Sequence, residues 1–326
     1  MKLLIIGGTR FVGRAIVTDA LARGHSVTLF YRGKSNPDVF PDAEHLHGDR
    51  DSEMHKLDGR TWDACIDTCA YIPRHVRQAV GRLADAVEQY TLISTISVYT
   101  DSVSAGADED APLRSLDDEE TEEITNETYG GLKVLCERAA EDAMPGRVLH
   151  IRPGMIVGAH DPTDRFSYWL DRLPAGGDVI VPGDPARPVQ FIDARDLGEW
   201  IVRMVEANNT GAYNAVGPAA PLTWGAWMEA MRRALGSDAR LTWVDDAFME
   251  QHAGDNLPFF VPAPYSGIFA LSQARAAADG LTHRPVETVI ADAAAWSHAR
   301  PSDAPRRAGI TREREAALLA AWRARA

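Results

Sequence analysis

Lys2–Ile6 is a short apolar run that ends on glycine, and Phe11–Arg23 follows it with apolar residues at helical spacing. A strand buried on both faces, a tight glycine turn and an amphipathic helix, in that order, leave few folds open. Gly24 is a good stop for the helix. Ser26–Tyr31, rich in Val, Thr and aromatics, reads as the next strand, and Trp62–Asp67 as a third. Pro73–Glu88 is a helix opened by proline, and Tyr90–Ser94 is a fourth strand. Further helix and strand signals follow at Thr128–Ala143 and Arg147–Ile151. Such β-α-β alternation predicts a parallel sheet covered by helices on both sides.

The second half loses this rhythm. Proline and glycine crowd Pro174–Pro188. Helices are expected near Asp196–Glu206, Thr223–Leu235 and Val286–Ala299, with a strand at Ala212–Val216. The expected fold is therefore α/β, a Rossmann-type doubly wound parallel sheet with a smaller mixed α/β substrate-binding lobe. Residues 1–152 form the first unit, and 153–300 the lobe, with some of its segments returning to the sheet. Residues 301–326 end in a helical tail, Thr311–Ala326, expected to be solvated or to contact a second subunit.

Composition narrows the function classes. The 34 basic and 47 acidic residues of this 326-residue chain give a net charge of −13, which repels phosphate backbones and anionic lipid heads. No nucleic-acid or membrane partner is expected. Nine acids and one base between Asp108 and Glu123 supply −8 of that charge. This segment precedes a helix with chemistry on it and reads as a solvated loop, with a lid over the site as the alternative. No stretch approaches the ~20 apolar residues needed to span a bilayer, and MKLLIIGG is too short before its glycines for a signal peptide. The cysteines, Cys65, Cys69 and Cys136, form neither a disulfide framework nor a metal set. They fit the reducing cytoplasm, the expected location.

The chemistry starts at Gly7-Gly8-Thr9-Arg10-Phe11-Val12-Gly13. Glycine is needed where a chain turns tightly and where backbone must approach a pyrophosphate, and the helix start then offers free N–H groups to the phosphates. With Arg10 at its centre this is a G-x-x-G-x-x-G variant of the dinucleotide fingerprint. A carboxylate ending the second strand would bond the ribose hydroxyls of NAD. This chain has Tyr31-Arg32-Gly33-Lys34 there instead. Arg32, Lys34 and the nearby Arg10 suit a 2′-phosphate, so the expected cofactor is NADP, with NAD the alternative. Asp49, in Gly48-Asp49-Arg50 after a short strand, suits the adenine amino group or plain turn chemistry.

Tyr129 and Lys133 stand at i and i+4 on one helix face. A phenol titrating near 10 must drop about three units to work as an acid/base at neutral pH, and an ammonium one turn away favours that drop. The fourth strand ends Ser94-Thr95-Ile96-Ser97-Val98-Tyr99. Its hydroxyls fall in the crevice where parallel sheets bind ligands, so Thr95 or Ser97 suits a donor to the substrate oxygen.

These residues together resemble the extended short-chain dehydrogenase/reductase superfamily, in its NAD(P)-dependent epimerase/dehydratase group. The resemblance continues through Arg152-Pro153-Gly154-Met155-Ile156-Val157-Gly158, Phe191-Ile192-Asp193-Ala194-Arg195-Asp196-Leu197 and Tyr213-Asn214-Ala215-Val216-Gly217 to about Trp296. It selects Thr95 over Ser97, and implies that Thr95, Tyr129 and Lys133 are catalytic. It places dinucleotide contacts at Gly7, Thr9, Arg10, Phe11, Val12, Gly13, Arg32, Lys34, Asp49, Arg50, Ala70 and Lys133. It also implies a homodimer through the Tyr129 helix. Arg10 in place of the middle glycine matches atypical members similar to chloroplast stem-loop-binding proteins. Ile96 and Ser97 replace the acidic pair of 4,6-dehydratases. Val189 stands where sugar-nucleotide enzymes usually carry an arginine, which puts a nucleotide-sugar substrate in doubt.

The expected function is an NAD(P)-dependent oxidoreductase that exchanges a hydride with a hydroxyl or carbonyl carbon of a small molecule. The alternatives are a sugar or sugar-nucleotide epimerase with tightly held cofactor and, from another class, a non-catalytic RNA-binding protein.

Overall fold

The computed structural model describes residues 1–252, 257–301 and 304–325. Its strands are β1 (Lys2–Ile6), β2 (Ser26–Tyr31), β3 (Glu44–His47), β4 (Ala64–Asp67), β5 (Gln89–Ile93), β6 (Val148–Pro153), β7 (Met155–Val157), β8 (Asp178–Pro182), β9 (Phe191–Asp193), β10 (Gly211–Ala215) and β11 (Arg240–Val244). The helices are α1 (Phe11–Ala22), α2 (Pro73–Leu83), α3 (Tyr129–Ala143), α4 (Arg165–Arg172), α5 (Ala194–Glu206), α6 (Trp224–Ala234), α7 (Asp246–His252), α8 (Ala274–Ala278), α9 (Val286–His298) and α10 (Arg312–Arg323).

Seven strands form one sheet in the order β3-β2-β1-β4-β5-β6-β10, and every pair is parallel. Leu3, Leu4, Ile5 and Ile6 are almost wholly buried because helices cover both faces, as an unbroken apolar strand requires. Ile16, Val17, Trp200 and Ile201 from α1 and α5 fill one side of the sheet. Val76, Val80, Cys136 and Ala140 from α2 and α3 fill the other. Strand order reverses between β1 and β4, and a crevice opens there at the carboxyl ends.

The remaining strands pair in two short parallel ribbons, β8 with β11 and β7 with β9. They support a second core built around Phe166, Trp169, Phe191, Trp224, Trp227 and Phe259. Two segments beyond residue 152 pack with the sheet: β10 lies beside β6, and α5 packs on α1. The closing helix differs from expectation. Rather than standing free in solvent, α10 packs on β8 with Leu318 and Leu319 buried, and its Glu315 meets Arg172 at 2.7 Å. No helix among the described residues is long and apolar enough to cross a membrane.

The acidic segment lies over α2 and α3. Leu116 contacts Gly131, Glu122 pairs with Arg74 at 2.7 Å and Glu119 with Arg138 at 3.3 Å. Most of its carboxylates are solvated, but Glu109 is buried and accepts the Asn214 N–H at 2.7 Å. Along α3, Leu132, Leu135, Cys136 and Ala139 are buried within this chain, whereas Ala143 is exposed.

Two histidines give the fold an acid-side sensitivity. Burial holds the half-buried His75 and the buried His150 below their ordinary value of 6.5. The unfolded chain therefore takes up protons first as pH falls, so stability is present above about 6.5 and declines below it. Denaturant midpoints should drop between about pH 7.5 and 5.5, and His150→Gln should flatten the slope. A level profile over that window would contradict this assignment.

Candidate functional site

The crevice is a cleft of about 850 Å³ between the sheet and the lobe. Its floor is the first β-α turn. A Cβ on Gly7 would fall 2.3 Å from Thr68 Oγ1, and one on Gly13 would fall 2.8 Å from the Gly8 Cα, so only glycine lets these backbones meet. Arg10 is the N-cap of α1, in extended conformation and with no side-chain cap on the helix. The N–H groups of the first turn thus face the cleft without a side-chain acceptor, the arrangement that suits a pyrophosphate.

Every residue expected at the site lines this one cleft: Gly7, Thr9, Arg10, Phe11, Val12, Gly13, Arg32, Lys34, Asp49, Arg50, Ala70, Thr95, Tyr129 and Lys133. Arg10, Arg32 and Lys34 are exposed and form no ion pair with a described residue. Asn36 ties their loop to the glycine turn by donating to the Thr9 carbonyl at 2.8 Å. One Asp49 oxygen accepts from Asp51 N–H at 2.9 Å, so Asp49 does perform turn chemistry. Arg50 departs from expectation. Its guanidinium grips Asp67 at 2.9 and 3.0 Å and donates to the His75 carbonyl at 3.2 Å. Asp67 is fully buried and also accepts the Tyr90 hydroxyl at 2.7 Å. A buried carboxylate needs that cation, so Arg50 braces the cleft floor, with its Nε left unpartnered among the described residues.

Thr95 caps the turn Ile96–Val98, with its hydroxyl accepting from Ser97 N–H at 3.1 Å. Tyr129 opens α3. The glycines after it permit a close approach: a Cβ on Gly130 would sit 2.1 Å from the Ser97 carbonyl oxygen. Glu137 and Arg152, bonded at 3.0 and 2.7 Å, clamp the same helix to β6. Lys133 is buried and donates to the carbonyls of Ala70 at 2.7 Å and Ile93 at 2.6 Å, leaving a third N–H. Burial lowers its pKa and pushes the Tyr129 phenol up to about 12. The ammonium was expected to draw the phenol down. Held by two backbone carbonyls, it is not among the main influences on Tyr129, which are burial, Tyr71, Thr95, Arg165 and Cys136.

Sequence reasoning missed Tyr71, His75, Met155, Arg165 and Arg307, which line the cleft as well. Arg165 was discoverable as the first residue of a helix shortly after the Arg152–Gly158 motif, and Arg307 carries no local signal. The acidic segment lies outside the cleft lining, so it forms no lid here.

The sequence profile described as the NAD dependent epimerase/dehydratase family matches residues 3–216. Epimerase family protein SDR39U1 of Bos taurus is 26% identical over 257 residues, spanning 73% of this chain and 82% of that protein. The human SDR39U1 structure (isoform 2, with NADPH) superposes with a TM-score of 0.65 at 21% identity, over 90% of this chain and 99% of that one. The chloroplast stem-loop binding protein of 41 kDa b from Arabidopsis thaliana is 28% identical over 213 residues, 60% of this chain and 53% of that protein. UDP-glucuronic acid 4-epimerase from Bacillus cereus, solved with NAD, has a TM-score of 0.70 at 14% identity, covering 91% and 99% of the two chains. With two thirds of its length under that profile, the chain belongs to the NAD dependent epimerase/dehydratase family, within the extended short-chain dehydrogenase/reductase superfamily.

Proposed function

We propose that this chain is an NADP(H)-dependent oxidoreductase that reduces a carbonyl, or oxidises the matching hydroxyl, on a small molecule. The observation that carries this reading is the convergence of Thr95, Tyr129 and Lys133 on the same cleft as the glycine turn. The dinucleotide, when bound, supplies or accepts the hydride. The residues around the cradle fit it: the uncapped start of α1 takes the pyrophosphate, and Arg10, Arg32 and Lys34 take a 2′-phosphate.

Tyr129 keeps its proton at neutral pH, because burial raises its pKa to about 12. That is opposite to the drop that acid/base work at neutral pH needs, so exchanging the proton with a substrate oxygen would depend on the positive charge that an oxidised nicotinamide brings beside it, and the pKa favours neither direction. Thr95 donates a hydrogen bond to the same oxygen and stabilises the negative charge that develops there. The third N–H of Lys133 would hold a ribose hydroxyl of the bound dinucleotide.

NADPH and NADH titrations test the cofactor half. Arg32→Ala should weaken NADPH about tenfold, the loss expected for one charge-assisted hydrogen bond, and leave NADH within about twofold. Equal loss for both dinucleotides would move Arg32 off the 2′-phosphate.

Epimerisation with retained cofactor uses the same residues, and the likeness to SDR39U1, an epimerase family protein, is what favours it. Nicotinamide retained through purification, without net NADPH consumption, would decide for it. The likeness to the chloroplast protein favours RNA binding, and the charge of −13 opposes it. RNA binding that weakens steeply with salt would decide for that reading.

A further inference from the structure

Arg50, Arg152, Arg172 and Arg187, buried or half-buried, each lie 2.7 to 2.9 Å from a carboxylate. A guanidinium withdrawn from water loses several kcal/mol of hydration, and an adjacent anion offsets that loss. Arg14, Arg147 and Arg203 are half-buried without such a partner among the described residues, but none of them lines the cleft; Arg165 lacks one and does. It is half-buried, lines the cleft with Tyr129 and Thr95, and has no ion pair with any described residue. Its Nε donates to Thr163 Oγ1 at 3.1 Å and one terminal nitrogen to Met155 Sδ at 3.4 Å. Both partners are neutral and hold the fork in place without answering its charge.

Asp161 is the main opposing charge that Arg165 feels, but the two form no ion pair among the described residues. Asp161 spends one oxygen on the backbone N–H and hydroxyl of Thr163, at 2.8 and 2.7 Å. Its other oxygen is buried with no partner among the described residues, and burial pushes that carboxyl upward, toward the neutral form. Arg165 shares the cleft with Tyr129 and Thr95, and it and Tyr129 feel each other's charge. Arg307 lines the cleft too, from the segment that leads into α10.

We propose that the substrate carries an oxyanion, a carboxylate or phosphate, beside its reacting carbon, and that Arg165 binds this group as a specificity-determining residue. This rests on the oxidoreductase reading above and names the substrate class within it: a small anionic carbonyl or hydroxy compound. A nucleotide diphosphate is disfavoured. Arg187, the arginine nearest Val189 in the chain, is held bidentately by Asp246 at 2.9 and 3.0 Å and has no fork left to offer one.

The test uses protein saturated with NADPH, so that the pyrophosphate cradle is filled. Inorganic phosphate and acetate are titrated by thermal shift and calorimetry, with glycerol as the neutral control. At least one anion should stabilise the wild type, phosphate alone indicating a phosphorylated substrate and both indicating a carboxylate-sized site. Arg165→Gln should weaken that binding at least about tenfold, Arg165→Lys should keep part of it, and NADPH affinity should stay within about twofold. Three results would overturn the proposal: anion binding unchanged in Arg165→Gln, NADPH affinity falling in step with it, or neither anion binding the wild type up to about 100 mM. If no dinucleotide binds at all, the oxidoreductase reading fails. The same wild-type and Arg165→Gln comparison on dinucleotide-free protein then still decides the role of Arg165.

Discussion

Tyr129→Phe is expected to lower kcat/KM for NADPH-driven carbonyl reduction by about 10²–10⁴-fold, the range spanned by a positioned acid/base. The change removes one oxygen and keeps the ring, so the packing of α3 beside Tyr71 and the turn at Ile96–Val98 is preserved. NADPH affinity and melting temperature should barely move. Lys133→Met should behave differently. The ammonium satisfies the buried carbonyls of Ala70 and Ile93, and orphaning buried acceptors costs about 1–3 kcal/mol each. Lys133→Met should therefore lose stability along with activity, where Tyr129→Phe loses activity alone. Steady-state NADPH consumption with a panel of carbonyl compounds, read beside a melting curve, separates the two. A Tyr129→Phe enzyme of full activity would remove the phenol from the mechanism.

The parts of this site that were legible in the sequence are those whose chemistry is local. The glycine turn, the Tyr129/Lys133 spacing and the hydroxyls ending β5 each lie within one or two elements, so strand-turn-helix order was enough to place them in a common crevice. The basic residues after β2 were legible for the same reason: the end of that strand is fixed once the β-α-β order is known. The edge strand β3 was anticipated only as a short strand before Gly48.

What stayed hidden depends on contacts between distant parts of the chain. Arg50 looked like a cofactor ligand until the fold brought Asp67 and Tyr90 against it, and Lys133 looked like a tuner of Tyr129 until two backbone carbonyls claimed it. The run of acids from Asp108 to Glu123 has a composition that says solvent. Yet Glu109 ends up buried on Asn214, and Leu116 covers Gly131. Arg165 was invisible for the opposite reason. Its importance lies in lacking a counter-ion, and only a full set of neighbours reveals that. The lobe's ribbons, β7 with β9 and β8 with β11, join segments with long intervening stretches, which no periodicity reports.

The docking of α10 sets up the largest effect expected on stability. Arg172 and Glu315 retain only 4% and 3% side-chain exposure and meet at 2.7 Å. Arg172 also donates to the carbonyls of Gly176 and Asp178 at 3.0 and 2.8 Å, while Glu315 accepts the Ile180 N–H at 3.3 Å. Arg172→Leu would leave the buried Glu315 with only the exposed Arg312, at 3.3 Å, as a cation, a loss of up to about 3–5 kcal/mol. At about 2–4 °C per kcal/mol, the lobe should melt up to about 6–20 °C lower. Arg172→Leu combined with Glu315→Leu removes both charges, and an apolar pair is often neutral relative to the ion pair, so the double variant should recover most of that loss. The single variant should also loosen the segment that carries Arg307 to the cleft. Oxyanion binding should then weaken while NADPH, held by the sheet's own turn, binds as before. A single variant that melts with the wild type would mean that α10 contributes little to the lobe's stability.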